Sequence, residues 1–133
     1  MKNIAIKENH LYQKAYTRGK RFVGKCVAVY VLRDYAAKRL ANAHPEKKTV
    51  NRIGLSVSKK IGSAVARNRA KRVMRAALAP FRNELRTGFL IVISAREAIR
   101  DKKTQDVRVD LERAFGSLDM RKAPPAGGKN QTP

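Results

Sequence analysis

Residues 56–75, SVSKKIGSAVARNRAKRVMR, restrict the folds open to this chain more than any other stretch. From Lys59 onward the run carries seven basic residues (Lys59, Lys60, Arg67, Arg69, Lys71, Arg72, Arg75) and no acidic one. It predicts a helix with Ser63 as N-cap, running to about Ala79, where Pro80 makes continuation costly. At about 100° per residue from Arg67, the residues Lys71, Arg75, Asn68 and Arg72 fall within roughly the first 140°. Val73, Ala66, Ala77, Ala70 and Phe81 fall between about 240° and 320°. Such a helix has to lay its apolar side on another layer and leave its basic side outward.

A solvated face is the ordinary explanation of a charge run. Here Arg67, Lys71 and Arg75 form a like-charged row at spacing four, which destabilises a helix, and nothing acidic offsets it. A polyanion of defined shape explains the row better. Arg69 sits at the border of the two faces and is a candidate for a structural contact instead. Lys59 and Lys60 fall at the strand-to-helix turn, beside the free N–H groups of a helix start, where phosphates bind readily. No glycine precedes a Lys-Ser or Lys-Thr pair at Walker A spacing, so nucleotide hydrolysis is not indicated.

The whole chain is basic: 31 Lys and Arg against 10 Asp and Glu give a formal net charge of +21 over 133 residues. Nucleic acid is the leading partner, because each cation on a phosphate releases a condensed counterion. No segment approaches the roughly 20 apolar residues of a membrane span, and MKNIAIKENH lacks a signal-peptide apolar region. The single cysteine, Cys26, excludes a disulfide framework and fits a cytoplasmic setting.

Before the basic helix, residues 8–18, ENHLYQKAYTR, pair Leu11 with Ala15 and Tyr12 with Tyr16 at spacing four, a helix stopped by Gly19. Residues 21–33 read as one strand, and residues 50–58 as another with Ile53, Leu55 and Val57 on one face. Residues 34–49 read as a polar connection in which AAKRLA forms at most a helical turn. FLIVISA, 89–95, is a strand covered on both faces, and a last helix covers Thr104 to Leu118. The expected architecture is a single domain over 1–118, an α/β (α+β) two-layer sandwich with a small mixed sheet packed by helices. Residues 119–133 have the composition of a disordered tail.

Tyr12, Tyr16, Tyr30 and Phe22 are the aromatics that can stack unpaired bases among basic residues. For Phe22 a core position is the better reading; Tyr12 and Tyr16 are open between core and stacking, since their hydroxyls ask for polar neighbours. Protein-based catalysis has little support. His10 and His44 lack a partner at a recognisable spacing, Cys26 reads as an inert core thiol, and the last-helix carboxylates read as solvated. Asp34 and Glu97, near strand ends, are weak candidates for touching a metal.

Residues 52–75, RIGLSVSKKIGSAVARNRAKRVMR, resemble the signature of the bacterial ribonuclease P protein subunit: a strand ending in SVSKK, then a helix opening G-(N/S)-A-V-x-R-N-R-x-K-R-x-x-R. LYQKAYTRGK resembles the family's first helix, VAVYV its first long strand and FLIVISAR a later one, so the resemblance covers about Ile6 to Leu118. It implies the accessory subunit of an RNA enzyme that removes the 5′ leader of precursor tRNA, with catalysis carried by the RNA and Mg²⁺ bound mainly by that RNA. It implies a left-handed β-α-β crossover over Ser56–Phe89, where periodicity alone leads one to expect a right-handed one. It assigns Lys59, Lys60, Arg67, Asn68, Arg69, Lys71, Arg72 and Arg75 to the catalytic RNA, and Tyr12, Tyr16 and Tyr30, with Phe22 nearby, to the leader. No catalytic residue, protein-ligated metal, membrane or small-molecule substrate is implied. Tyrosines replace the phenylalanines often found on the first helix, and Ala76 stands where the family often has a carboxamide or Glu. The rival expectation is a structural RNA-binding protein of ribosomal type that touches no leader.

Overall fold

The computed structural model describes residues 4–6, 9–34, 51–82 and 84–121. Five strands, β1 (Ile4–Ala5), β2 (Lys20–Val23), β3 (Val27–Arg33), β4 (Arg52–Ser56) and β5 (Phe89–Ala95), form one sheet in the order β1-β4-β5-β3-β2. The pairs β1–β4 and β4–β5 are parallel, and β5–β3 and β3–β2 antiparallel. Three helices, α1 (Asn9–Arg18), α2 (Ala64–Leu78) and α3 (Thr104–Ser117), cover it.

β5 is the centre. Ile91 and Ile93 join the core beneath α2 and α3, with Met74, Leu78, Leu111 and Phe115. Leu90 and Val92 pack on the opposite face with Leu11 and Ala15 of α1. A strand buried on both faces has no polar alternation to show, which is why FLIVISA reads as a continuous apolar run. The expected α/β sandwich forms, and α1 adds a partial layer on its far side.

α2 starts where expected: the Ser63 hydroxyl accepts from the Ala66 N–H at 3.2 Å. It ends at Leu78 and passes into a 3₁₀ turn, Ala79–Phe81, that contains Pro80. The connection β4–α2–β5 joins parallel neighbours, and Ile53 fixes its hand. The Ile53 carbonyl accepts from the Ile6 N–H on the β1 side, while its side chain joins the cluster beneath α2. For an L-residue seen with its side chain toward the viewer and the strand running upward, the backbone polar groups point right. β1 therefore lies right of β4 and β5 left of it. The chain crosses in front of the sheet and re-enters on the left, a left-handed crossover against the usual preference.

Three expectations change. The run 21–33 is a hairpin rather than one strand, broken at Gly24–Cys26. The Gly24 N–H donates to the Val27 carbonyl at 2.8 Å, and a Cβ on Gly24 would sit 2.7 Å from Asp110 Cγ. Asp110, read as solvated with its helix neighbours, is buried at 4% exposure. Its Oδ2 accepts from the Cys26 N–H at 2.6 Å and the Val27 N–H at 3.3 Å. The fold also runs past 118. α3 closes with Met120 N–H on the Phe115 carbonyl and Asp119 at φ 55°, a Schellman arrangement, and Met120 is buried. The turn expected at AAKRLA, with residues 35–50, and the tail from 122 lie outside the described residues.

Asp110→Ala would leave two buried N–H groups without their acceptor. At about 1–3 kcal/mol for such a group, the urea midpoint should fall at unchanged slope; an unmoved midpoint would show that the carboxylate does not hold the turn.

Candidate nucleic-acid interface

The buried stripe of α2 is Ala70, Met74, Ala77 and Leu78, with Phe81 just beyond. Ala66 and Val73 are only partly buried, so the apolar face is rotated toward Arg67 from where simple periodicity puts it. Arg67 is accordingly half-buried, and its Nε is shielded from solvent with no acceptor among the described residues. Asn68, Arg72 and Arg75 are exposed, and Lys71 is partly so. Lys59 and Lys60 stand exposed on a 3₁₀ turn, Lys59–Ile61, whose Ile61 is buried as an anchor. Gly62 leaves that turn at φ 133°, a conformation that favours glycine.

Arg69 points elsewhere. Its Nη2 donates to the Lys102 carbonyl at 2.7 Å, and its Nη1 to the carbonyls of Ile99 and Arg100 at 3.4 Å each. This guanidinium pins the turn Glu97–Asp101 to α2, the structural contact that its border position suggested. It corrects the placing of Arg69 beside the outward-facing cations.

On the other face of the sheet three tyrosines meet. Tyr16 and Tyr30 stand edge to face, with ring centroids 4.9 Å apart at 78°. Tyr12 lies across Gly54 of β4, where a Cβ would fall 2.5 Å from the Tyr12 Oη. Gly54, which periodicity does not single out, is what lets the ring approach the strand so closely; a glycine inside an alternating strand is the available signal. Burial, and then the neighbouring Tyr16, raise the Tyr12 phenol above its ordinary value, so its hydroxyl stays protonated near neutrality. Phe22 does not join them: it packs against the core cluster on the α2–α3 face.

A groove of about 500 Å³ runs along Tyr12 and Tyr16, lined also by Asn9, Ser56, Val57 and Lys71; Tyr30 touches Tyr16 but does not line it. Lys71 thus reaches the tyrosine groove from the basic helix, and the two surfaces are continuous. The other titratable candidates are engaged or isolated. Asp34, 5% exposed, accepts from Arg52 Nε and Nη2 at 2.7 and 3.0 Å. Burial, then Asp110, push the buried Cys26 thiol up to about 11, which keeps it from acting as a thiolate nucleophile. His10 and Glu97 are exposed, and His44 lies outside the described residues. Among those residues no helix is long and apolar enough to cross a membrane.

The family model for ribonuclease P matches residues 1–119. The ribonuclease P protein component of Clostridium acetobutylicum is 32% identical over 120 residues, 90% of this chain and 92% of that one. That of Bacillus cereus is 34% identical over 121 residues, 91% of this chain and 96% of its own. The chain belongs to the ribonuclease P protein family. It is the protein subunit of an endoribonuclease of tRNA processing, with RNA as its partner in the holoenzyme. The structure of the Staphylococcus aureus RNase P protein superposes with TM-score 0.72 at 26% identity, covering 91% of this chain and all of that one. The Thermotoga maritima protein, at 20% identity and TM-score 0.61, shares the fold. The ribosomal-type alternative is set aside by the family match.

Arg69→Ala should lower stability by about 1.5–3 kcal/mol, the range for hydrogen bonds to a charged group. Arg72→Ala, on the exposed face, should stay within about 0.5 kcal/mol of the parent. Chemical denaturation separates the two roles; equal effects would refute them.

Proposed function

We propose that this ribonuclease P protein binds the catalytic RNA through Lys59, Lys60 and the outer face of α2, and receives the 5′ leader of precursor tRNA in the tyrosine groove. It thereby assists Mg²⁺-dependent endonucleolytic removal of the leader, in the cytoplasm. The observation that carries this is Lys71 lining the same groove as Tyr12 and Tyr16. A single-stranded segment in that groove has aromatic faces for its bases and a cation for its backbone, the combination that holds unpaired nucleic acid with little regard to sequence. The chain itself can bind, orient and desolvate. The described residues gather no set of three or more His, Cys, Asp or Glu side chains. They do not fit a metal held by the protein alone, and the Mg²⁺ of this reading is held mainly by the RNA.

The direct experiment is precursor tRNA cleavage by ribonuclease P RNA at low Mg²⁺, with and without the protein. Strong stimulation is expected, and its absence with folded protein would overturn the reading. Tyr12→Ala/Tyr16→Ala should weaken precursor binding by about 1–3 kcal/mol for each base unstacked and leave mature tRNA binding alone; equal losses for both ligands would argue against a leader groove. Arg72→Ala should make the plot of log affinity for the RNA against log salt shallower by about 0.7–0.9, and an unaltered slope would exclude a phosphate contact there.

A further inference from the structure

Where β3 ends and β5 begins, at the opposite end of the sheet from Lys59 and Lys60, lies a second groove of about 320 Å³. Its lining includes Arg18, Lys20, Arg33, Arg86, Phe89 and Asp119. Four cations face one carboxylate. Val31, Phe89 and Leu118, which also line it, belong to the cluster under α2 and α3, whereas Tyr12, Tyr16 and Tyr30 pack on the other face. Leu32 and Arg18, from the tyrosine side, line it as well, so the groove lies at the end of the sheet and shares no lining residue with the tyrosine groove. The length of β5, about 20 Å at roughly 3.3 Å per residue, separates it from the Lys59–Lys60 turn, so no single phosphate serves both.

The groove is preset. The Arg33 and Arg86 guanidinium carbons lie 5.8 and 5.7 Å from the centroid of the one Phe89 ring. Arg86 is tethered by its N–H to the Met120 carbonyl at 2.6 Å. Its Nη1 donates to the Asp119 carbonyl at 3.0 Å and carboxylate at 3.1 Å. Both side-chain bonds use Nη1, and among the described residues nothing accepts from Nη2. Arg18, Lys20 and Arg33 have no carboxylate partner among those residues. Like charges gathered round one ring repel until an anion enters, and guanidinium forks fit phosphate oxygens in pairs.

We infer that this groove is a second RNA-contacting surface, holding backbone phosphates of the ribonuclease P RNA at the end of the sheet opposite the Lys59–Lys60 turn. The inference rests on RNA being the partner and is independent of the assignment of the tyrosines.

The test is binding of the full chain to ribonuclease P RNA across a salt series. Lys20→Ala/Arg33→Ala should flatten the salt slope by about 0.7–0.9 for each phosphate no longer neutralised, without changing the preference for precursor over mature tRNA. Lys20→Arg/Arg33→Lys should keep the parent slope. Arg18→Ala/Lys20→Ala, both exposed side chains, repeats the test without disturbing the packing on Phe89. An unchanged slope in variants that melt like the parent overturns the inference. Arg72→Ala run alongside tells that failure apart from failure of the α2 reading. A lost precursor preference at unchanged slope would give the groove to the leader strand and overturn it equally.

Discussion

Burial of β5 on both faces is the constraint from which the rest follows. Ile91 and Ile93 need α2 and α3 on one side, Leu90 and Val92 need α1 on the other, and each helix then carries a different surface outward. Parallel pairing of β4 with β5 forces the chain between them to cross the sheet, and α2 is that crossing. The basic helix is thus held rigidly because it is the only route from one central strand to the next. Its like-charged row, unfavourable in an isolated helix, is tolerated because Met74, Ala77 and Leu78 are fully buried beneath it.

Polar side chains finish what the core begins. Asn51 donates to the Arg86 carbonyl at 2.9 Å and accepts from the Phe89 N–H at 3.0 Å, fastening the entry of β5 beside β4. Arg69 fastens the exit, holding the turn after β5 to α2. Asp110 fastens the β2–β3 turn to α3. These groups lie at strand ends, where ladder hydrogen bonds run out and a buried N–H or carbonyl has to find another partner. The tyrosine groove sits at such an end too, outside the carboxyl terminus of β4 at Ser56 and Val57, the position where open sheets with parallel strands tend to leave a crevice.

Patterned burial was legible in the sequence and pairwise placement was not. The periodicity of α2 and the unbroken apolar run of β5 each reflect an environment shared by many consecutive residues, and both elements fall where that pattern predicts. Gly24 inside the apolar run is a signal of a break, but the carboxylate that holds the turn, Asp110, lies 86 residues later in the chain and local sequence says nothing of it. The same holds for Phe22 and Tyr30, on neighbouring strands in one hairpin: which face each occupies depends on register across the turn, and local composition says nothing of it. Gly54 shows the limit from the other side. It carries no side chain to read, and its role is the ring of Tyr12 that it admits. The left-handed crossover lay beyond periodicity, which has no hand; the resemblance supplied it.

The acidic residues explain why so large a charge excess is directed outward. Asp34 is held by Arg52, Asp110 by backbone amides, and Asp106 accepts from the Lys103 N–H at the start of α3. Asp119 pairs with Arg86, and Glu84 and Glu112 pair with Arg121. Six of the ten carboxylates are thus committed to fastening turns and helix ends, and none lies on α2. A protein that only needed solubility would intersperse the two signs over its surface. Here Asp34 and Asp110 fasten the fold from within, the rest of the six pair at the surface, and α2 keeps a cationic face with no carboxylate of its own. An RNA partner lowers the self-repulsion of so basic a chain, which links its stability to assembly.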